Sequence, residues 1–267
     1  MLTEPAQRIY LERIERALAA ASEVACQFTP GTFDVRDDGG RNVVTEVDRR
    51  ISHVLRAELL ADGEGWLSEE DPDDRSRLTC DTVWVVDPLD GTREFVDGIP
   101  EWCISVGLVV RGVAVAGGTC NPSTKELFLG ALDCGVTYNG QPAFISRRND
   151  LAGAVVLASR QEQKRGDWRR FENSGIKIRP MGSVAYKLSR VAAGLADATW
   201  TLSAKHEWDI AAGVALVNSA GGVCGSITEA DLQFNRREPK LPGLAATAPG
   251  IWSEALRLIG ETILAQS

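Results

Sequence analysis

Val83-Trp-Val-Val-Asp87-Pro-Leu-Asp90-Gly-Thr92 is the stretch on which the reading of this chain turns. Its opening apolar run, rich in β-branched valine, predicts a short buried strand. Its two acids, three apart across a proline, predict a stiff turn at the strand's end, where both carboxylates and the Leu89 carbonyl can face one pocket. Oxygen ligands of that kind suit a hard divalent cation. Gly91 has no Cβ and lets the backbone approach an anion, and a helix opening at Thr92 would aim free N–H groups at it. Carboxylates beside an anion cradle point to metal-assisted phosphoryl chemistry. On local sequence alone, a polar turn followed by a threonine N-cap stays open.

The surroundings of this stretch are acidic. Asp62–Glu101 carries thirteen acids against three arginines, a local balance of −10 that exceeds the −8 of the whole 267-residue chain. Asp71, Asp73 and Asp74 read as solvated loop. The acids interleaved with the strand at Val83–Val86 are different, because packed carboxylates repel unless a cation sits among them. The net negative charge argues against a nucleic-acid polymer as partner. The six cysteines are scattered with no C-x-x-C pair and read as small core residues with reduced thiols. No signal peptide and no apolar run near the roughly 20 residues of a membrane span are visible, so the expectation is a cytoplasmic protein without a membrane partner.

Periodicity organises the rest. Residues 5–27 and Glu46–Ala61 predict amphipathic helices, the second with Val47, Ile51, Val54, Leu55 and Leu59 on its apolar face. Asp34–Arg41 reads as a polar loop and Trp66–Ser68 as a short strand. Cys103–Val110, Val113–Thr119 and Glu126–Leu129 predict an antiparallel meander, and Thr137–Gln141 a turn. From Gly153 strands and helices alternate: a strand over 153–159, a helix over Val184–Leu195, a strand over Ala198–Leu202, a helix over Asp209–Ser219 and a last helix over Ile251–Ala265. This predicts an α+β half over residues 1–150 and an α/β half over 151–267. Trp208-Asp-Ile-Ala-Ala-Gly213 stands out in the second half. Asp209 falls in a helix's first turn, where a negative charge is favoured with or without a metal, and the small residues after it predict close packing. His53 and His206 read as helix-surface and loop residues.

Taken together, Asp87–Thr92 and Trp208–Gly213 resemble the two signatures of the inositol monophosphatase superfamily of Mg2+-dependent, Li+-sensitive phosphatases. Val44-Thr-Glu-Val-Asp48 and Ser68-Glu-Glu70 extend the resemblance over nearly the whole chain, in the family's order. It implies a layered αβαβα sugar-phosphatase fold. It also implies Mg2+ held by Glu69, Asp87, Asp90, Asp209 and the Leu89 carbonyl, with Glu69 preferred over Glu70. Asp48 and Thr92 would orient and help deprotonate a water attacking a phosphate monoester, with the Gly91 and Thr92 amides on the phosphate. Homodimerisation is a further family expectation.

Within the superfamily, Arg93-Glu94-Phe95, Ala158-Ser159-Arg160 and Gly182-Ser183 with Lys187 resemble the 3′(2′),5′-bisphosphate nucleotidase branch, which converts 3′-phosphoadenosine 5′-phosphate to AMP. A bisphosphate needs a second anion site. Arg160, Lys187 and Arg190 are the basic candidates for it, set against a reading of Lys187 and Arg190 as solvent-facing helix charges, and Ser159 and Ser183 join Gly91, Thr92, Arg160, Lys187 and Asp209 as expected substrate-binding residues. Inositol phosphatases often carry an acid seven residues before the second-signature aspartate, where this chain has Leu202. The chain also departs from the family lysine about ten residues before Asp48, offering Arg36 and Arg41, and has Asn42-Val43 where the nucleotidase branch usually shows Ser-Pro. Inositol-1-monophosphatase and fructose-1,6-bisphosphatase activities remain alternatives, as does a catalytically inactive binding protein on the same fold.

Overall fold

A computed structural model describes residues 3–31, 36–37, 43–44, 46–228 and 232–264. The loop expected over Asp34–Arg41 lies outside these apart from a two-residue strand, as do Asn42, Thr45 of the first motif, and Ala265. The elements in chain order are α1 (Glu4–Ala25), β1 (Arg36–Asp37), β2 (Val43–Val44), α2 (Glu46–Leu59), β3 (Gly65–Ser68), β4 (Thr82–Asp90), α3 (Thr92–Val96), β5 (Cys103–Val110), β6 (Val113–Asn121), β7 (Glu126–Ala131), β8 (Gly135–Tyr138) and β9 (Gln141–Ala143). They continue with β10 (Val155–Ser159), α4 (Arg160–Arg165), β11 (Lys177–Met181), α5 (Val184–Ala192), β12 (Ala198–Thr201), β13 (Lys205–His206), α6 (Glu207–Ser219), β14 (Val223–Ser226), β15 (Lys240–Leu241), β16 (Leu244–Thr247) and α7 (Trp252–Leu264).

Strands β3 to β9 form a seven-stranded sheet in sequence order, antiparallel except for the parallel β3–β4 pair. A second, mixed sheet has the order β11-β10-β12-β16-β14. The period of two on β4 explains the layers. Trp84 and Val86 join Ile14, Leu18, Ile51 and Leu55 of α1 and α2 in one core, while Val83 and Val85 join Leu188 of α5 and Ile210 and Val214 of α6 in another. The larger sheet is therefore buried on both faces. Helices α5 and α6 also pack on the second sheet, and α4 and α7 contact it as well. Helix pair, sheet, helix pair, sheet and helices make the expected αβαβα layering.

Glycine sets the seat of α6. A Cβ on Gly107 of β5 would stand 2.8 Å from the Ala212 amide nitrogen, and one on Gly117 of β6 2.6 Å from the Ala212 carbonyl oxygen. On the helix itself, a Cβ on Gly213 would strike Leu188 of α5 at 2.4 Å. The small run Ala211-Ala212-Gly213 thus packs as closely as the sequence predicted, with sheet backbone and helix backbone nearly in contact.

Some expectations hold and some change. Asp73 and Asp74 are exposed loop residues, as read from the sequence, and Asp71 is half-buried; all three also take part in local hydrogen bonds. Asp71 accepts from Trp66 Nε1 at 2.5 Å and Ser52 Oγ at 3.2 Å, Asp73 pairs with the fully buried Arg77, and Asp74 accepts from the Ser76 amide. Of the six unbridged cysteines Cys103 is buried in the core and Cys80, Cys120, Cys134 and Cys224 pack half-buried against it, as expected, whereas Cys26 is exposed. His206 lies in β13 at the N-cap of α6 and stacks its ring on Trp208 with centroids 4.4 Å apart. His53 is exposed on α2, as expected.

Candidate active site

The Asp87–Asp90 segment is not the turn that its proline suggested. Strand β4 runs through it to Asp90, and its pairing with β5 shifts from Asp87↔Ser105 to Asp90↔Cys103. Two residues, Pro88 and Leu89, face the single residue Ile104, which is a bulge. On a regular strand, residues three apart point to opposite faces, and one extra residue restores the phase. The bulge therefore brings Asp90 back to the side of Asp87.

Gly91 then caps α3 with φ +101°, and a Cβ there would stand 3.1 Å from both the Glu101 carbonyl oxygen and Trp102 Cβ. The position thus requires glycine for its backbone angle and for its close packing. Thr92 is the first helical residue, and its hydroxyl donates to the Leu89 carbonyl oxygen at 3.0 Å. Asp87 accepts from the Leu89 amide at 3.0 Å, so the bulge is braced by its own acid.

Three further acids arrive from elsewhere. Asp48 is buried in the first turn of α2. Glu69 follows β3, which runs parallel to β4, and its amide donates to the Val86 carbonyl. Asp209 enters from the first turn of α6, where its Oδ2 accepts from the His206 amide at 3.0 Å. That bond is the capping role the sequence allowed. The glycine seat of α6 fixes how near the sheet this turn comes.

The acids feel one another. Burial, then Glu69, Asp90, Asp209 and Asp48, raise Asp87 well above the usual carboxylate range. Burial and then Asp90 push Asp209 up to about 7, against the pull of Lys205 and the His206 amide. Glu69 keeps an exposed surface at the rim. Crowding of its carboxylate by protein, followed by the charges of Asp209, Asp48, Asp90 and Glu70, still pushes it up to about 8. Asp90 is raised by burial, an effect opposed by the Ser183 hydroxyl, Lys187, the Ala185 amide and Lys205.

Of the substrate-binding candidates, Ser183 lies against Asp90. Its hydroxyl donates to Asp90 Oδ2 at 2.6 Å, and the Ala185 amide reaches the same oxygen at 2.6 Å. Ser183 also caps α5 with φ +51°, and its Oγ accepts from the Tyr186 amide at 3.0 Å. Lys187 is buried and donates to the Ser183 carbonyl at 2.8 Å, which overturns its reading as a solvent-facing charge. Burial lowers it to about 8. Ser159 caps α4, accepting from the Glu162 amide at 3.4 Å. Arg160 grips Glu101 with Nε at 2.5 Å and Nη2 at 2.7 Å. Arg190 does not join this group. It pairs with Glu126 at 2.8 Å, within a network that includes Tyr138, Tyr186 and Thr124.

Sequence reasoning missed Lys205, Glu94 and Glu101. Lys205 lies close enough to lower Asp90 and Asp209 and to oppose protonation of Lys187. Buried Glu94 interacts with Asp90 and Lys187, and Glu101 accepts from the Gly182 amide at 2.8 Å. Lys205 and Glu101 belong to no motif the sequence offered, and Glu94 was named only within Arg93-Glu94-Phe95, as a mark of the branch and not as a site residue. The only available signal was the density of acids around the Asp87–Thr92 segment.

The donor set fits a hard divalent cation, because buried oxygen ligands that raise one another's pKa gain most from a positive charge placed between them. Among the described residues, however, no three His, Cys, Asp or Glu side chains are already drawn to ion-holding distance. Asp90 and Asp209 are instead turned onto the Ser183 and Ala185 donors and the His206 amide.

Residues 7–262 match the inositol monophosphatase family. The chain belongs to that family. It is 35% identical over 200 residues to an inositol-1-monophosphatase of Mesorhizobium japonicum, covering 69% of this chain and 72% of that one. The Thermotoga maritima IMPase structure shares the fold with TM-score 0.81 at 24% identity, covering 94% of this chain and 97% of that one. CysQ from Bacteroides thetaiotaomicron, a bacterial member of the family, shares it with TM-score 0.74 at 24% identity over 89% and 96%. The chain is thus a phosphatase of a generally metal-dependent family that acts on small phosphorylated substrates. No described helix is long and apolar enough to cross a membrane.

Proposed function

We propose that this phosphatase is a Mg2+-dependent, Li+-sensitive phosphomonoesterase whose preferred substrate carries one phosphate on a small alcohol. The observation that carries the reading is the convergence of Glu69 after β3, Asp87 and Asp90 at the bulged end of β4 and Asp209 from α6, where burial and then neighbouring acids raise Asp87, Asp209 and Glu69, with Gly91 and Thr92 following directly on Asp90. Mg2+ held by Glu69, Asp87, Asp90, Asp209 and the Leu89 carbonyl would neutralise phosphoryl oxygens and acidify a water. The chain's own residues do the rest. Gly91 and Thr92 amides at the start of α3 hold the phosphate, and Asp48 and Thr92 orient the attacking water and take its proton.

The single-phosphate preference rests on the basic residues. Arg160 is committed to Glu101, Arg190 to Glu126, and Lys187 is buried against Ser183, so each of these three cations is already engaged within the chain where a second phosphate would need it. The inositol-1-monophosphatase name of the Mesorhizobium relative agrees with this. Leu202, half-buried on the core, offers no acceptor for sugar hydroxyls, so inositol 1-phosphate is a first substrate to test rather than an assignment.

A second reading, the 3′(2′),5′-bisphosphate nucleotidase, is favoured by Arg160, which keeps 33% of its side chain exposed beside the Gly182–Ser183 segment. Phosphate release from inositol 1-phosphate, 3′-phosphoadenosine 5′-phosphate and fructose 1,6-bisphosphate, with Mg2+ and with added Li+, separates the readings. Release from none of them would favour an inactive binding protein.

A further inference from the structure

The Glu101–Arg160 pair ties the first half of the chain to the second, next to the anion cradle. The Glu101 carbonyl oxygen passes so close to Gly91 and Gly182 that a Cβ would stand 3.1 Å from it at the first and 2.6 Å at the second. The Glu101 carboxylate holds Arg160 with both oxygens, and Oε2 also accepts from the Gly182 amide at 2.8 Å. The next residue, Ser183, is the one that donates to Asp90. Arg160 therefore sits a short relay from the candidate catalytic acids.

On its other side Arg160 borders a surface cleft of about 280 Å3, lined also by Gln163, Lys164 and Pro180. Lys164 is exposed there. Arg179 adds a second positive charge near Glu101, and together with Arg160 and the Gly182 amide it holds the Glu101 carboxyl below its usual range despite burial. A guanidinium fork grips a carboxylate with the same paired N–H bonds with which it grips a phosphate. Glu101 and a phosphate on the substrate would thus compete for one seat.

We propose that Glu101 occupies, from within the chain, the place that a second phosphate would take on Arg160, and that this pair sets the preference for substrates with one phosphate over those with two. The inference rests on the phosphomonoesterase reading and names the determinant of its specificity.

The test is Glu101→Gln, which keeps an oxygen for the Gly182 amide and removes the charge that holds Arg160. Calorimetric binding of adenosine 3′,5′-bisphosphate is compared with that of AMP, in wild type and variant. The variant is expected to bind the bisphosphate about tenfold more tightly, with AMP changed by less than about twofold. The ratio of its kcat/KM for the bisphosphate to that for inositol 1-phosphate rises by a similar factor. Adding Arg160→Met to Glu101→Gln erases the gain. Glu101→Asp, which keeps the charge and shortens its reach, gives a smaller gain in the same direction and serves if Glu101→Gln does not fold. Equal shifts for both ligands, or a gain that survives loss of Arg160, overturns the proposal. If wild type releases phosphate from no substrate, the phosphomonoesterase reading falls, and the binding arm still judges the pair.

Discussion

The hydroxyl of Ser183 lies 2.6 Å from Asp90 Oδ2, a bond between residues 93 positions apart that joins the N-cap of α5 to the bulged end of β4. The Ala185 amide reaches the same oxygen, so the first turn of α5 fixes the direction of that carboxylate. Ser183 holds this place at φ +51°, a backbone angle costly for a residue with a Cβ. Groups that orient a ligand are worth about 10–100-fold in metal affinity or activity.

Ser183→Ala is therefore expected to lower kcat about tenfold or more and to weaken Mg2+ activation, with the far-ultraviolet circular dichroism unchanged. Asp90→Asn serves as the limiting case, with a loss on the order of 10^3 in kcat. A Ser183→Ala protein with wild-type kcat and an unaltered Mg2+ dependence would remove Ser183 from this role.

Proton binding by the acid cluster gives the metal-free protein a definite pH dependence. Glu69 at about 8 and Asp209 at about 7 hold protons in the folded chain that unfolded carboxyls release near about pH 4. Between those values the folded state binds more protons than the unfolded state, so the free energy of unfolding falls as pH rises. In chelator, Tm is expected to drop steadily from about pH 5 to about pH 8, and added Mg2+ to remove much of the drop. Glu69→Gln flattens the slope and abolishes turnover. Thermal melts across that range check this, and a flat profile in chelator counts against the cluster.

Lys205, which the sequence did not flag, lowers both Asp90 and Asp209 by its positive charge. Lys205→Met is expected to weaken competitive inhibition by inorganic phosphate roughly tenfold, because the site loses an anion-attracting charge. Stability in chelator falls at the same time, since the acids lose their counter-charge. Inhibition by phosphate at wild-type strength would place Lys205 outside the site.

Glu126 takes hydrogen bonds from Tyr138, Tyr186, Thr124 and Arg190 in a largely buried network between β7 and α5. Glu126→Ala strands Arg190 and the tyrosine hydroxyls, and is expected to cost about 3 kcal/mol in urea unfolding. Arg190→Gln likewise reduces stability while leaving the bisphosphate KM alone. A selective rise in that KM would return Arg190 to substrate binding.

The parts of the fold that bury one face with a regular period were legible. Helix α2 and strand β5 have the extents their apolar patterns predicted to within a few residues, and the Ala211–Gly213 run announced close packing. Strands β14 (Val-Cys-Gly-Ser) and β16 (Leu-Ala-Ala-Thr) were not, because small residues carry little strand propensity and acquire it from their neighbours in the sheet. Strand β11 contains Pro180, which suits the edge position it occupies. Helix α4 is polar throughout, with no stripe to read.

The candidate site divides the same way. Asp87, Asp90 and Asp209 stood out because each lies beside a structural signal, a strand end or a helix start. Glu101 and Lys205 act only through what the fold lays next to them, and sequence spacing does not carry that. Pro88 misled in an instructive way. It suggested a turn, whereas its lack of an N–H is accommodated in a strand bulge.

Gly107 and Gly117 place the α6 backbone directly on the sheet, with no side chain as a cushion. A side chain can change rotamer to absorb a small displacement, and two touching main chains cannot. The span between Asp209 and the β4 acids is thus a rigid dimension of the molecule. A methyl group added beneath the helix, as in Gly117→Ala, would reach the chemistry from a position that no substrate ever touches.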